Sequence, residues 1–286
     1  MKSALLVILL VAAYAILFVM ERAMPLRPPK APFLQRVWVN GLVSILAFAT
    51  AALLVRPAAA AMLDLADERQ LGLIPLLGLG GWAEALITFL VLDLTFYYWH
   101  IANHRVPWLW RLHNVHHIDP DLDVTTGFRF HFGEVALSAL FRSAQVLIIG
   151  PSMALYVAYE VAFQTHTLFH HSNMRLAFGL ERILSRVIVT PRAHGIHHSS
   201  YRAEANSNFG VVFIWWDRIH GTLGLDVPQG AITIGIPAYS RLEDNSVRRC
   251  LTLPFLPQRD YWRFAGAEHD HRDPAERLGD PCRLAA

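Results

Sequence analysis

The chain alternates between long uncharged stretches and short segments crowded with basic residues and histidines. From Ser3 to Met20 no position carries a charge, while Lys2 precedes the run and Glu21 and Arg22 follow it. A bilayer core takes about 20 apolar residues, so this run predicts a transmembrane helix, with a signal peptide as the alternative. A Pro- and Arg-rich linker (Pro25 to Arg36) leads to a second apolar run, about Val37 to Leu63, interrupted by Arg56 and Pro57. A third begins near Trp82, ends at His100 and encloses one acid, Asp93. The stretch from Glu134 to about Phe169 is apolar again and broken at Gly150-Pro151. That turn signal predicts a helical hairpin, a single kinked helix being the alternative. Beyond Asn173 no long apolar run follows. Residues 205–240 hold short β-type runs (FGVVFIWW, AITIGI), and the last forty or so residues predict a loosely packed polar tail.

The basic residues orient this pattern. Arg22, Arg27, Lys30 and Arg36 fill the first linker, Arg105, Arg111 and Arg129 follow the third run, and Arg175, Arg182, Arg186 and Arg192 follow the hairpin. Positive charge collects on the cytoplasmic side of membrane proteins, so all three segments are predicted to be cytoplasmic. An acid within a span is a functional candidate by default, yet for Asp93 pairing within the bundle is the favoured reading.

Composition narrows the class. Residues are 54% hydrophobic and only 17% charged, against about 25% charged in soluble domains, which excludes an ordinary water-soluble enzyme and a disordered chain. A net charge of +2 is too small to point to nucleic acid. Cys250 and Cys282 are isolated, which excludes a disulfide scaffold and a thiolate metal site.

Fifteen histidines remain to be explained. They cluster as His100 and His104; His113, His116 and His117; His166, His170 and His171; and His194, His197 and His198. Residues three and four apart share a helix face, so each cluster offers two or three imidazoles from one platform. A lone histidine is usually a hydrogen-bonded core or surface residue, and His269 and His271 keep that reading; His131 and His220 begin from it. The clusters do not, because burying so many rings without partners would be costly. Imidazole suits Zn, Cu, Fe and Ni, and without an HExxH the zinc proteases are disfavoured. Two irons in an all-nitrogen shell beside a membrane, activating dioxygen, account for both number and location.

The motifs HIANH (100–104), HNVHH (113–117), DPDLDVTTGFRFHFGE (119–134), THTLFHHSN (165–173), TPRAHGIHHS (190–199), NSNFG (206–210) and WWDRIHGT (215–222) together resemble the fatty acid hydroxylase/sterol desaturase superfamily of membrane-bound non-heme di-iron oxygenases. The resemblance covers about Leu92 to Leu223. It departs at Phe132, where proline usually follows the motif histidine, and at His220, where phenylalanine is common.

The resemblance implies an all-α integral membrane protein with about four or five transmembrane helices and a cytosolic helical cap carrying the metals. Three regions follow: membrane helices and linkers (1–90), the catalytic domain (91–225) and a cytosolic tail (226–286). It carries over His100, His104, His113, His116, His117, His194, His197 and His198 as ligands to two iron ions, completed by His166 and one of His170 and His171. Asp93, Asp119, Asp123, Glu134, Asn173, Asn206 and Asp217 are nominated to hold the ligand rings in orientation. Phe96, Tyr97, Tyr98 and Trp99 are either an interfacial belt or a substrate wall. The implied reaction is dioxygen-dependent hydroxylation, or desaturation, of an unactivated C–H bond of a lipid. No nucleotide-binding fingerprint occurs, so electrons are expected from a separate donor of cytochrome b5, ferredoxin or reductase type. The competing reading is a non-catalytic metal-binding or metal-transport membrane protein; a zinc-dependent hydrolase ranks last.

Overall fold

A computed structural model describes residues 2–273; of the expected tail, 274–286, with Cys282, lies outside the described residues. Helices dominate. The first uncharged run is helix α1 (Lys2–Ala23). The second forms α2 (Phe33–Thr50), a π-helical turn (Ala51–Val55) and α3 (Arg56–Glu68) without a break, followed by the short α4 (Leu73–Leu77). Pro57 has no N–H to give to the preceding turn, and the π turn directly before it accommodates this loss while the helix continues. The third run is α5 (Gly81–Arg105), and α6 (Pro107–His117) follows after one extended residue, Val106.

The predicted hairpin is present as α7 (Phe132–Ile149) and α8 (Met153–His171). Gly150 caps α7 in the left-handed conformation, and the Ser152 hydroxyl accepts from Leu155 N to open α8. Arg142 bonds Glu160 and Tyr156 across the turn, which fixes the two helices as antiparallel. The turn demands glycine for a further reason. A Cβ on Gly150 would lie 2.1 Å from Leu71 O and one on Gly72 2.4 Å from Gly150 N, so the α3–α4 and α7–α8 turns touch backbone to backbone. Three helical stretches, Phe33–Leu77, Gly81–Arg105 and Phe132–Ile149, are long and apolar enough to cross a membrane. Many large apolar side chains on them face outward, among them Trp38, Leu53, Trp82, Leu140 and Ile148.

The remaining helices are short: α9 (Phe178–Leu184), α10 (Pro191–His197), α11 (Arg202–Ala205), α12 (Trp215–His220) and α13 (Val247–Thr252). The β-type runs of 205–240 do not become strands. FGVVFIWW is an extended segment leading into α12, paired to the rest of the chain only by an isolated bridge, Ile188 with Phe213, and Ser199 bridges Ile234 in the same way. Among the described residues the sole sheet is a two-stranded hairpin, Arg263–Phe264 with Ala267–Glu268. The tail, too, departs from expectation. Tyr239, Cys250 and Leu253 share a buried cluster with Val39, Val43, Trp110 and Val115, and the buried Arg272 holds Glu204 at 2.8 and 2.9 Å. Its polar residues are partners for buried polar groups, which composition alone does not reveal.

Hydrogen bonds draw the end of α1, the start of α2 and the end of α8 together around the loop after α6. Leu26 N donates to Asn173 O, and Glu21 accepts from Val124 N and Asn173 N. Arg36 in α2 grips Asp119 and Asp123 in the loop after α6. The histidine-bearing helices meet at that same end.

Candidate metal centre

The clustered histidines sort into two groups. His100, His104, His113, His117 and His197 form one; His116, His171, His194 and His198 form the other, and within each the ligand-capable nitrogens lie within 4.8 Å of one another. The rule behind the division is helical. In an HxxHH run the three rings share one broad face, but the adjacent last two diverge by about 100° and so can reach different groups. On α6, His113 and His117 enter the five-membered group and His116 the other; on α10, His194 and the following His198 enter the four-membered group and His197 the first. Each triplet therefore serves both groups, in opposite senses, and the groups sit side by side. The His117 and His198 rings stack at 4.3 Å between centroids.

Ring orientation comes from the outer nitrogens. His100 Nδ1–H donates to Phe209 O at 2.9 Å, His197 Nδ1–H to Ser207 O at 2.7 Å and His171 Nδ1–H to Thr167 O at 2.8 Å. His113 Nδ1–H donates to the Glu134 carboxylate at 3.0 Å. Each bond fixes the tautomer that leaves Nε2 as a lone pair facing inward. Burial, reinforced for most by neighbouring imidazoles, holds His116, His117, His194 and His198 well below the ordinary histidine range and lowers His197 to about 3. The rings are thus neutral, the form that binds metal.

The donor set fits a metal. Nε2 of His104, His113, His117 and His197 are buried with no hydrogen-bond partner. In the other group the Nε2 contacts are 3.0 Å (His116 to His171), 3.0 Å (His171 to His194) and 3.1 Å (His194 to His198). Metal–imidazole bonds of about 2.1 Å at right angles place nitrogens about 3.0 Å apart. Nine imidazole nitrogens and no thiolate suit iron, zinc, copper or nickel.

His166 and His170 fall outside both groups. His166 Nε2–H donates to Val189 O at 3.0 Å and His170 Nδ1–H to Val211 O at 3.1 Å. Of the residues nominated to orient rings, only Glu134 touches a grouped histidine directly. Asp93 and Asp217 act one step further out. Asp93 accepts from Val212 N, Phe213 N, Trp216 Nε1 and Tyr159 OH, and Asp217 from Phe209 N, Gly210 N and Thr222 Oγ1. Both hold the segment whose carbonyls hold His100 and His170. Burial pushes Asp217 up to about 6 against the pull of those three donors. Asp119 and Asp123 pair with Arg36 instead; burial would raise Asp123, but Arg36 keeps it well below the usual carboxylate range.

Asn173 clamps the backbone of Arg27, and Asn206 only caps its own helix, on Arg202 O. Asn208, two residues on, ties α10 to the segment after α12 instead. It is fully buried at φ +54°, donates to Ala193 O and Gly224 O, and accepts from Gly224 N. The tolerance of asparagine for positive φ was the available signal. His131 caps α7 through Gly133 N and donates to Leu251 O, while His220 accepts from Tyr98 OH. Of the aromatic run, Phe96 and Tyr97 are core and Tyr98 is exposed.

Residues 85–222, the stretch that carries every grouped histidine, match the fatty acid hydroxylase family. Similar proteins include the human alkylglycerol monooxygenase (32% identical over 47% of this chain and 29% of that protein). An ornithine lipid hydroxylase of Rhizobium tropici is 26% identical over 54% of this chain and 45% of its own length. The human cholesterol 25-hydroxylase is 27% identical over 48% of this chain and 50% of its own. The chain thus spans half or less of these relatives. No solved structure gives a significant match.

Proposed function

We propose that the chain is a multi-pass membrane enzyme that uses two irons, held by the nine grouped histidines, to hydroxylate an unactivated C–H bond of a lipid with dioxygen. The observation that carries this reading is the pair of adjacent, buried, neutral imidazole groups, built in complementary fashion from the HNVHH and HGIHH runs. A single structural metal needs about four ligands, and nine are in place. The relatives named above carry lipid hydroxylase or monooxygenase titles, which supports a lipid as substrate. Irons bound there would supply the oxidising power of reduced dioxygen. The balance is R–H, dioxygen, two electrons and two protons giving R–OH and water, the electrons coming from a separate donor protein.

The chain's own residues have definable parts. His100, His104, His113, His117 and His197 would hold one ion and His116, His171, His194 and His198 the other. Glu134, Phe209 O, Ser207 O and Thr167 O keep the ligand nitrogens facing inward, so that no rearrangement precedes binding. Asp93 and Asp217 immobilise the 207–213 segment that provides two of those carbonyls. The basic linkers around Arg22–Arg36, Arg105–Arg129 and Arg175–Arg192 support a cytoplasmic position for the site.

The test is a lipid profile of the host with and without the gene, grown under labelled dioxygen. A lipid that carries one labelled oxygen, disappears on deletion and fails to return with His116→Ala supports hydroxylation. A product differing by two hydrogens without label assigns desaturation instead. Lipid modification that survives His116→Ala overturns the oxygenase reading.

A further inference from the structure

A second polar site lies apart from the histidines, where the linker after α1 crosses the loop after α6. A cavity of about 190 Å³ opens there, lined by Arg22, Arg27, Lys30 and Arg36 and also by the carboxylates of Glu21, Asp121 and Asp123. Pockets for whole drug-sized molecules are about 300–1,000 Å³, so this one is sized for a single polar group. Its rim is exposed at Arg22, Pro28, Pro29 and Lys30, and its floor is Arg27, only 7% exposed.

Arg27 is the anomaly. Its Nη1 donates to Gln229 Oε1 at 2.5 Å, but Nη2 is buried without a partner, and among the described residues no carboxylate is close enough to pair with it. Burial, and then repulsion from Arg192, lowers this guanidinium to about 10, which leaves it charged at neutral pH. A buried, unpaired cation is strongly unfavourable unless a counter-charge arrives. The acids nearby are engaged elsewhere. Asp123 bonds Arg36 at 2.6 Å and Arg22 at 2.9 Å, Asp121 accepts from Lys30 N and Ala31 N, and Glu181 bonds Arg192 at 2.5 Å. Glu21 accepts from two backbone amides through Oε2, with its other oxygen 3.6 Å from Arg22.

The arginine is also held in place. Asn173 bonds its backbone N–H and carbonyl, and its guanidinium lies against Gly195, where a Cβ would come within 2.2 Å of Nη1. Gly195 sits between the ligand histidines of α10, so the sequence there is shaped by Arg27 as well as by the metals. Lys30 Nζ stands at the rim, 3.4 Å from Thr233 Oγ1.

We propose that this cavity binds a phosphate group, with Arg27 at its base and Lys30 and Arg22 at its mouth. A buried guanidinium with one nitrogen unpaired would gain a partner in a phosphate oxygen, and an ammonium at the rim adds charge without demanding geometry. The phosphate could come from a lipid head group at the membrane face or from free phosphate; the chemistry is shared. The proposal does not rest on the oxygenase reading, because binding is measured without turnover.

The experiment uses the full, metal-loaded chain in neutral detergent, titrated with inorganic phosphate at constant ionic strength, and in parallel in phosphatidylcholine nanodiscs with or without phosphatidic acid. Phosphate or phosphatidic acid should raise the unfolding midpoint. Arg27→Gln should weaken binding roughly ten- to hundredfold, the loss of a charge-assisted contact, while Arg27→Lys should recover part of it. Stabilisation by both probes assigns the site to free phosphate, and by the lipid alone to a head group. Binding that survives Arg27→Gln unchanged lies at the metals or elsewhere and overturns the proposal, as does the absence of any shift. If Arg27→Gln does not fold, Lys30→Gln at the exposed rim decides: binding weakened severalfold upholds the site, and binding unchanged overturns it.

Discussion

Asp93 tests how far the site depends on a residue that touches no grouped histidine. Its carboxylate is fully buried and accepts four hydrogen bonds, from Tyr159 OH at 3.1 Å and Val212 N at 3.2 Å on one oxygen, and from Phe213 N at 3.0 Å and Trp216 Nε1 at 2.8 Å on the other. Asp93→Ala strands all four donors. Each stranded buried group costs about 1–3 kcal/mol, but water entering the space left behind relieves part of the sum, so about 3–5 kcal/mol is expected. Asp93→Asn is milder. Its amide NH₂ settles on the Tyr159 side, where the hydroxyl can turn to accept, and only Val212 N is left without an acceptor, at about 1–3 kcal/mol. At roughly 2–4 °C per kcal/mol, the unfolding midpoint should fall by about 6–20 °C for alanine and about 2–12 °C for asparagine. Metal content of the purified protein should follow the same order, because the carbonyl of Phe209, which orients His100, lies beside the released amides. The assay is thermal unfolding in detergent with metal analysis on the same samples. Equal midpoints for wild type and Asp93→Ala, or full metal content with a lowered midpoint, would refute the reasoning.

Further outcomes follow from the same geometry. Glu134→Gln removes the anionic acceptor of His113 Nδ1 and should weaken metal affinity about 10–100-fold, read by competition with a chelator, with the fold intact. His116, His117, His194, His197 and His198 set a pH dependence: they are held below the ordinary value when folded, so between that value and their folded pKa the unfolded chain binds more protons. Stability should therefore fall as pH drops from about 7 to 5, by up to about 1.4 kcal/mol per pH unit per histidine; a flat midpoint over that range would contradict the burial of the cluster. Gly195→Ala should destabilise by about 1–3 kcal/mol through its clash with Arg27. Much of that loss should vanish in an Arg27→Ala background, and additive effects in the double-mutant cycle would argue against the contact.

The helical character, the break at Gly150-Pro151 and the identity of the histidine clusters were legible in the pattern of residues, because each rests on local spacing. The division of each HxxHH run between two groups was not, since it depends on which face of α6 meets which face of α10. His171 is distinguished from His166 and His170 by carbonyls from Val189 and Val211, residues far along the chain that engage the other two rings. Asp119 and Asp123 stood close to His117 in sequence, yet Arg36 from the first linker claims both. The tail resisted reading for the same reason: Arg272 and Cys250 are buried by partners more than sixty residues away, Glu204 and the cluster around Val43 and Val115.

The FGVVFIWW run reads as β in sequence and forms no strand, and the reason ties fold to function. Residues 207–213 are irregular, with Asn208 at φ +54°, yet every second carbonyl is turned to a histidine. Those of Ser207, Phe209 and Val211 accept from His197, His100 and His170 in turn. On another edge Val212 O accepts from Val189 N, and Ile214 N donates to Val187 O, as a neighbouring strand would have them do. The segment is thus not a strand, but imidazole N–H groups take its carbonyls much as a neighbour's amides would. Its own amides at 209, 210, 212 and 213 are taken by Asp217 and Asp93. Hydrophobic, β-branched residues suit this role because they favour extension and bury well, while the polar work is done by the main chain. A regular sheet partner would compete with the histidines for these carbonyls, so the failure to complete a sheet is what frees the segment to orient the candidate ligands.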